Sequence, residues 1–334
     1  MKKLLLSVLC VGLVFASCKN DDDSEIKDKT SAKEFFQDNI EKAKQVITIN
    51  SSELPKTYTL AGGVKIFVPD AAFTKNGAIV TGQFTLEVQE MLKPSSILLS
   101  GTNTNYGSQY LKTDGFLHLA AFKDGVALDT VLKKNLVITI PTANTYEYTN
   151  LWEGKENAGS DNDQFAWQDL GQDAIVANDS VVQNPKGGNG EGNNFVWPQA
   201  NTYKFSFGKL GWVNCDVLWN YGLTKTTVKV TVTGSFGKFA TFQGYYGDTF
   251  VFFCGKGYPV IAQLYTVVND STVQSYNNSM PVGAEGKIIA FSIRDGVFSY
   301  DVQDVTITAN MSLTLNLKEV TEQELLSMIA SFDN

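Results

Sequence analysis

The stretch Lys287-Ile288-Ile289-Ala290-Phe291-Ser292-Ile293-Arg294-Asp295-Gly296-Val297-Phe298-Ser299-Tyr300-Asp301-Val302 decides the fold class. Two runs rich in apolar and aromatic residues flank Asp295-Gly296. Asx-Gly between such runs is the strongest short-range hairpin signal, because glycine tolerates the positive φ of a tight turn. Asn76-Gly77 and Asp124-Gly125 repeat the signal earlier in the chain. Around these turns residues alternate with a period of two. That pattern predicts strands at Val64–Val68, Ile79–Val88, Phe116–Phe122, Leu136–Ile140, Tyr203–Phe207, Thr227–Val232, Phe250–Phe253, Ala262–Val268, Lys287–Ile293, Phe298–Val302, Val305–Thr308 and Leu313–Leu317. Many short strands separated by Gly and Asx turns predict an all-β chain of two β-sandwich domains rather than a parallel α/β fold.

Helical signals stand only at the two ends. Ser31-Ala32-Lys33-Glu34 and Thr321-Glu322-Gln323-Glu324 are capping boxes, each followed by apolar residues at helical spacing. The expected division is a short helix over 31–46, a sandwich over 47–142, an irregular segment over 143–199, a second sandwich over 200–318, and a helix over 319–334. The irregular segment holds a polar stretch, Ala158–Asp163, and the glycine-rich Lys186-Gly187-Gly188-Asn189-Gly190-Glu191-Gly192. All five tryptophans, Trp152, Trp167, Trp197, Trp212 and Trp219, lie in it or just after it.

The first 30 residues carry an address. Lys2 and Lys3 precede the apolar run Leu4–Phe15, which is too short for a membrane-spanning helix of about 20 residues and reads as the signal peptide 1–17. It ends in Phe15-Ala16-Ser17-Cys18, which resembles the lipobox of bacterial lipoproteins. The resemblance implies lipidation of Cys18 and anchoring in a membrane; several acyl chains on one residue exceed the two-signal threshold for a stable anchor. Residues 18–30 then form an acidic tether. Lys19-Asn20-Asp21-Asp22-Asp23-Ser24-Glu25 resembles the export tag of Bacteroidota surface lipoproteins, which implies the outer membrane and its outward face. Fully extended, residues 19–30 reach roughly 40 Å.

Composition narrows the function classes. The 334 residues are 43% apolar and 19% charged, which is globular. The net charge of −8 becomes −10 once Lys2 and Lys3 leave with the signal. An acidic chain whose single arginine is Arg294 lacks the clustered cations that nucleic-acid binding needs, so no nucleic-acid partner is expected.

Two strings resemble a known family. Gly63-Val64-Lys65-Ile66-Phe67-Val68-Pro69, Ala72-Phe73, Asn76-Gly77, Thr81-Gly82 and Phe84-Thr85-Leu86-Glu87-Val88 look like the opening of a β-sandwich module found in Bacteroidota lipoproteins. That opening is also distantly similar to ZU-type domains of ankyrins and netrin receptors. Tyr203-Lys204-Phe205-Ser206-Phe207 leads to Gly211-Trp212-Val213-Asn214-Cys215-Asp216, which is similar to a Gly-Trp-x-Asn-Cys-Asp signature of the same lipoproteins. The resemblance implies a ZU-like sandwich over about 60–142 and an envelope address, but no chemistry.

No catalytic constellation stands out. The only histidine, His118, lies inside a predicted strand and reads as a satisfied strand histidine rather than a general base. Neither His-Glu-x-x-His nor paired Cys-x-x-Cys occurs, and Asp161-Asn162-Asp163 lacks the Gly and Glu of an EF-type loop, so neither metal nor cofactor is expected. Asp216, Glu153, Asp161 and Asp248 could each serve a carboxylate pair, and none is singled out. Cys10 leaves with the signal and Cys18 is committed to lipid. Cys215 and Cys254 remain, as a candidate disulfide or as two buried thiols. Trp152, Trp167 and Trp197 lie beside polar loops and are candidate ligand-binding aromatics, with Trp212 and Trp219 assigned to the core. Thr130, Ser180 and Ser271 sit in Asp-Ser/Thr-x triplets like those O-glycosylated in Bacteroidota. The expected function is non-catalytic: binding an envelope protein or glycan, or a structural role. The rivals are a carbohydrate-binding accessory lipoprotein of a nutrient-uptake system and a carboxylate-dependent hydrolase.

Overall fold

The computed structural model describes residues 30–143, 149–155, 166–169, 195–196, 200–219, 223–241, 247–257 and 259–333. The chain is all-β with short helices. Among the described residues no helix is long and apolar enough to cross a membrane. The three Asx-Gly hairpins form as their sequences demand. Both turn residues have positive φ at Asn76-Gly77, Asp124-Gly125 and Asp295-Gly296, which matches the right-handed twist of the flanking strands.

The first lobe is a sandwich of two sheets. The larger sheet runs through the strands Lys44–Asn50, Gln83–Met91, Gln109–Lys123, Gly211–Leu218, Thr149–Lys155 and Ala166–Asp169, each antiparallel to the next. The smaller orders Thr202–Lys209, Val131–Pro141, Lys65–Val68 and Lys56–Thr59. Their inner faces share a core that includes Ile66, Leu86, Leu117, Ile138, Phe205 and Val213, none exposed to solvent.

This sandwich crosses the expected segment boundaries. Thr202–Lys209 pairs with Val131–Pro141, and Gly211–Leu218 lies between Gln109–Lys123 and Thr149–Lys155. Residues 200–218 therefore complete the first sandwich rather than open the second. Part of the segment read as irregular, Thr149–Lys155, is a central strand. The first helix also stops early: α1 spans Ala32–Ala43, and Lys44–Asn50 is a strand. Val46-Ile47-Thr48-Ile49 is β-branched throughout, which favours a pleated surface over another helical turn.

The second lobe is one eight-stranded sheet, ordered Ile261–Gln263, Thr249–Gly255, Glu285–Arg294, Val297–Thr306, Ser312–Val320, Lys229–Gly234, Thr272–Gln274 and Thr266–Asn269. Its two edge strands are consecutive in the chain, separated only by Leu264 and Tyr265. The sheet therefore curls until its edges meet, around a core that includes Val230, Val251, Phe253, Ile288 and Leu315. The single strand predicted over Ala262–Val268 is in fact these two edges.

A third core fuses the lobes. Thr249–Gly255 and Glu285–Arg294 are buried on both faces: Val251, Phe253, Ile288 and Ala290 point into the curled sheet, while Phe250, Phe252, Ile289, Phe291 and Ile293 point outward. The outward set packs against Met91, Phe116, Trp152, Trp167 and Trp212 of the first lobe's large sheet. Helices α1, α2 (Pro94–Leu99) and α3 (Glu322–Ala330) close this seam. Phe36 of α1 is fully buried, with its ring 5.0 Å from Phe250 and 6.3 Å from Phe291. A polar run stitches the lobes beside it. Thr104 N donates to Ile261 O at 2.9 Å, and Asn103 and Asn105 bond the Gln263 side chain and backbone at 2.9–3.0 Å. These bonds satisfy polar groups that burial would otherwise leave unpaired.

Candidate functional site

Among the described residues the tryptophans do not form a surface platform. Trp152 and Trp167 are 2% and 3% exposed, both in the seam core. Trp152 Nε1 donates to Asp216 O at 3.1 Å, and Trp167 Nε1 donates to Asn103 O at 2.8 Å. Their expected role as ligand-binding aromatics is corrected by register. Both stand on the seam side of the large sheet, where the second lobe covers them. Trp212 and Trp219 are buried as expected. Trp197, Ser180 and Cys18 lie outside the described residues.

Cys215 and Cys254 are free and buried. Cys215 points into the first sandwich core, whereas Cys254 points into the seam. A whole layer of the sheet separates the two side chains, so the candidate disulfide is not formed. Burial raises both thiol pKa values, most of all by desolvation.

The carboxylates are dispersed. Asp216 is fully buried, and its Oδ2 accepts the Asn214 amide at 2.5 Å. Thr113 donates its hydroxyl to Asn214 Oδ1 at 3.0 Å, and Asp216 Oδ1 has no hydrogen-bond partner among the described residues. Desolvation pushes the Asp216 carboxyl well above its ordinary value, with Asp114 adding to the rise and the Thr113 and Asn214 side chains opposing it. Glu153 bonds Lys155 at 2.6 Å and Lys209 at 3.1 Å. Burial pushes its pKa up, and the two ammonium groups more than offset that, holding it below the usual range. Asp248 stands apart in the second lobe, and Asp161 lies outside the described residues. Among the described residues no group of three or more His, Cys, Asp or Glu gathers as metal ligands.

Thr130 is exposed, and Asp129 before it is occupied. The Asp129 carboxylate accepts from Thr74 Oγ1, Asn76 N and Gly77 N at 2.7–2.9 Å, which pins the Asn76-Gly77 turn. Ser271 is half-buried, and its hydroxyl donates to Asn269 Oδ1 within a turn.

One concave site does emerge, and only the fold assembles it. A notch of about 300 Å³ opens where the large sheet splits: Gln109–Lys123 runs on beyond the start of Gly211–Leu218, and Thr149–Lys155 ends beside it. Its lining includes His118, Ala120, Phe122, Ala127, Leu128, Thr130, Gly154, Lys155, Leu210, Gly211 and Trp212. Leu210 N donates to Thr130 O at 2.7 Å and closes one side. Gly211 adopts φ +109° with open space where a Cβ would project, so a side chain there would be strained by the backbone rather than by contacts.

His118 stands at the notch in a cross-strand row with Gln89 and Trp212. Its Nδ1 lies 2.9 Å from Gln89 Oε1, so the carbonyl oxygen receives an Nδ1–H, and its ring centroid is 4.7 Å from that of Trp212. The imidazole is thus held between an amide and an indole. Sequence reasoning recognised His118 as a strand histidine and missed the notch. Its best sequence signal was the pair Gly154 and Gly211, small residues inside strand-like runs.

No family model matches this chain, and neither do any curated protein or solved structure.

Proposed function

We propose that this chain is a lipid-anchored cell-envelope protein that binds a partner or ligand without transforming it, held at the outer membrane surface through Cys18. The observation that carries the binding reading is the notch on a body made rigid by a seam buried on both sides. A concave, mostly apolar pocket held by a rigid scaffold is the usual setting for ligand binding. His118 supports this reading by presenting a ring at the notch that is held by the Gln89 amide and the Trp212 indole. The Bacteroidota lipoprotein resemblance supports the address. The carbohydrate-accessory reading loses two of its three aromatics to the seam. The hydrolase reading finds Asp216 fully buried and Glu153 engaged with Lys155 and Lys209.

The test has two arms. Cells fed a clickable palmitate should label the protein, and Cys18→Ser should abolish the label and release the protein from the membrane fraction. The purified protein should bind at the notch without turning over an array of glycosides, esters and peptides. Turnover lost in a notch variant would replace this reading with an enzyme, and an unlabelled wild type would remove the anchor.

A further inference from the structure

The notch has a definite chemical character. Its volume of about 300 Å³ lies at the lower end for small-molecule sites. Ala120, Ala121, Ala127, Leu128 and Leu210 give it walls of short aliphatic groups. A body with many hydroxyls would leave most of them unpaired against such walls, at a penalty for each. An apolar body loses nothing there.

The charge is equally one-sided. No carboxylate lines the notch among the described residues, and Lys155 does. Glu153, just behind it, is shared between Lys155 and Lys209 at 2.6 and 3.1 Å. Two ammonium groups around one carboxylate leave a surplus of one positive charge. The Glu153 side chain is 14% exposed, whereas that of Lys155 is 41% exposed. The half-exposed ammonium therefore retains donors for a second anion, and Lys209 keeps Glu153 compensated when Lys155 turns to it.

We propose that the notch takes a small monocarboxylate with a compact apolar body, its carboxylate on Lys155 and its body between the alanines and Leu210. The proposal rests on the reading of the chain as a binding protein and names the ligand class for that site. It is also consistent with the two glycines in the lining, Gly154 and Gly211, which contribute no side chain there.

Phenylacetate and its neutral isostere phenylacetamide separate charge from shape. Both are titrated into the ¹⁵N-labelled protein while the amides of Gly154 and Gly211 and the indole N–H of Trp212 are followed. Phenylacetate should shift these signals saturably and bind about tenfold or more tighter than the amide, as expected when a charged hydrogen bond replaces a neutral one. Lys155→Met should erase that difference without lowering the thermal midpoint, because Glu153 keeps Lys209. Ala127→Phe, at an exposed position on the wall, should block both compounds. Equal affinity for acid and amide would overturn the charge assignment and leave the notch as a binding site. Shifts at none of the three probes would overturn the ligand class, whereas failure of the binding reading itself would appear as turnover on the substrate array.

Discussion

Trp152 and Asp216 are joined across the large sheet by an indole N–H···O=C bond of 3.1 Å, with the Trp152 ring 2% exposed and the Asp216 side chain fully buried. The tryptophan that a polar neighbourhood marks as a surface residue is thus an internal strut between the lobes. Trp152→Phe should destabilise the protein by about 1 kcal/mol for the lost bond. Trp152→Ala should cost about 3–5 kcal/mol by adding a cavity. Urea denaturation monitored by far-UV circular dichroism measures both, and glycan binding should change with neither.

Asp216 makes stability fall as pH rises. Its folded-state pKa lies above the ordinary value of about 3.9 that the unfolded chain keeps. Above that ordinary value the unfolded chain releases a proton that the folded chain still holds, so the unfolded state gains. Asp216→Asn removes this titration. Denaturation midpoints at pH 4.5, 6 and 8 should decline less steeply with pH in the variant, and the difference should be largest at pH 8. An unchanged slope would mean that Asp216 is ionised in the folded protein.

Phe36 links the amino-terminal helix to the seam through its contacts with Phe250 and Phe291. Phe36→Ala should cost about 3–5 kcal/mol, and hydrogen exchange should accelerate on both sides of the seam together. Acceleration confined to α1 would show that the helix is only an appendage.

The carboxyl terminus is pinned by Asp333, whose carboxylate accepts from Ser95 N at 2.9 Å and Ser95 Oγ at 2.7 Å at the start of α2. Asp333→Ala should cost about 0.5–2 kcal/mol, as loss of a helix N-cap does. The effect should be read as faster amide exchange in α2 and α3.

Buried thiols make a counting experiment informative. The sequence has four cysteines, of which Cys215 and Cys254 are buried and free. Cys215 and Cys254 should not react with Ellman's reagent in the native protein, because desolvation suppresses both thiolates. In denaturant a processed, lipidated chain should release two equivalents and an unprocessed chain four. Reductant should leave the thermal midpoint unchanged.

Local signals were legible and long-range ones were not. Asp295-Gly296 announced its hairpin because two residues determine that turn, and Ser31 with Glu34 announced α1 in the same way. The expected helix over 31–46 ran past Ala43 because its spacing continues there, whereas the β-branched run from Val46 to Ile49 favours the strand that forms. Gly211–Leu218 could not be assigned to the first sandwich from sequence, because its partners at Gln109–Lys123 and Thr149–Lys155 are set by topology. The same holds for Trp152 and Trp167, whose cover comes from Phe250 and Phe291 far along the chain. The notch was invisible for that reason too: His118, Lys155 and Leu210 meet only once three distant segments are brought together.

The described chain begins at Thr30, whose carbonyl accepts from Gly296 N at 2.9 Å, and α1 then runs into the seam with Phe35 and Phe36 buried. A force applied through the amino terminus therefore enters the molecule between its lobes, at the tip of the Asp295-Gly296 hairpin. Among the described residues, the first bond to be loaded is this single backbone contact, which can yield and re-form. Behind it the helix must drag two phenylalanines out of an apolar layer before either sheet is disturbed. Thr30–Gly296 and α1 form a weak latch in series with a strong one, so tension on the chain ahead of α1 would be taken up at Thr30 and Gly296 while the sheets keep their shape.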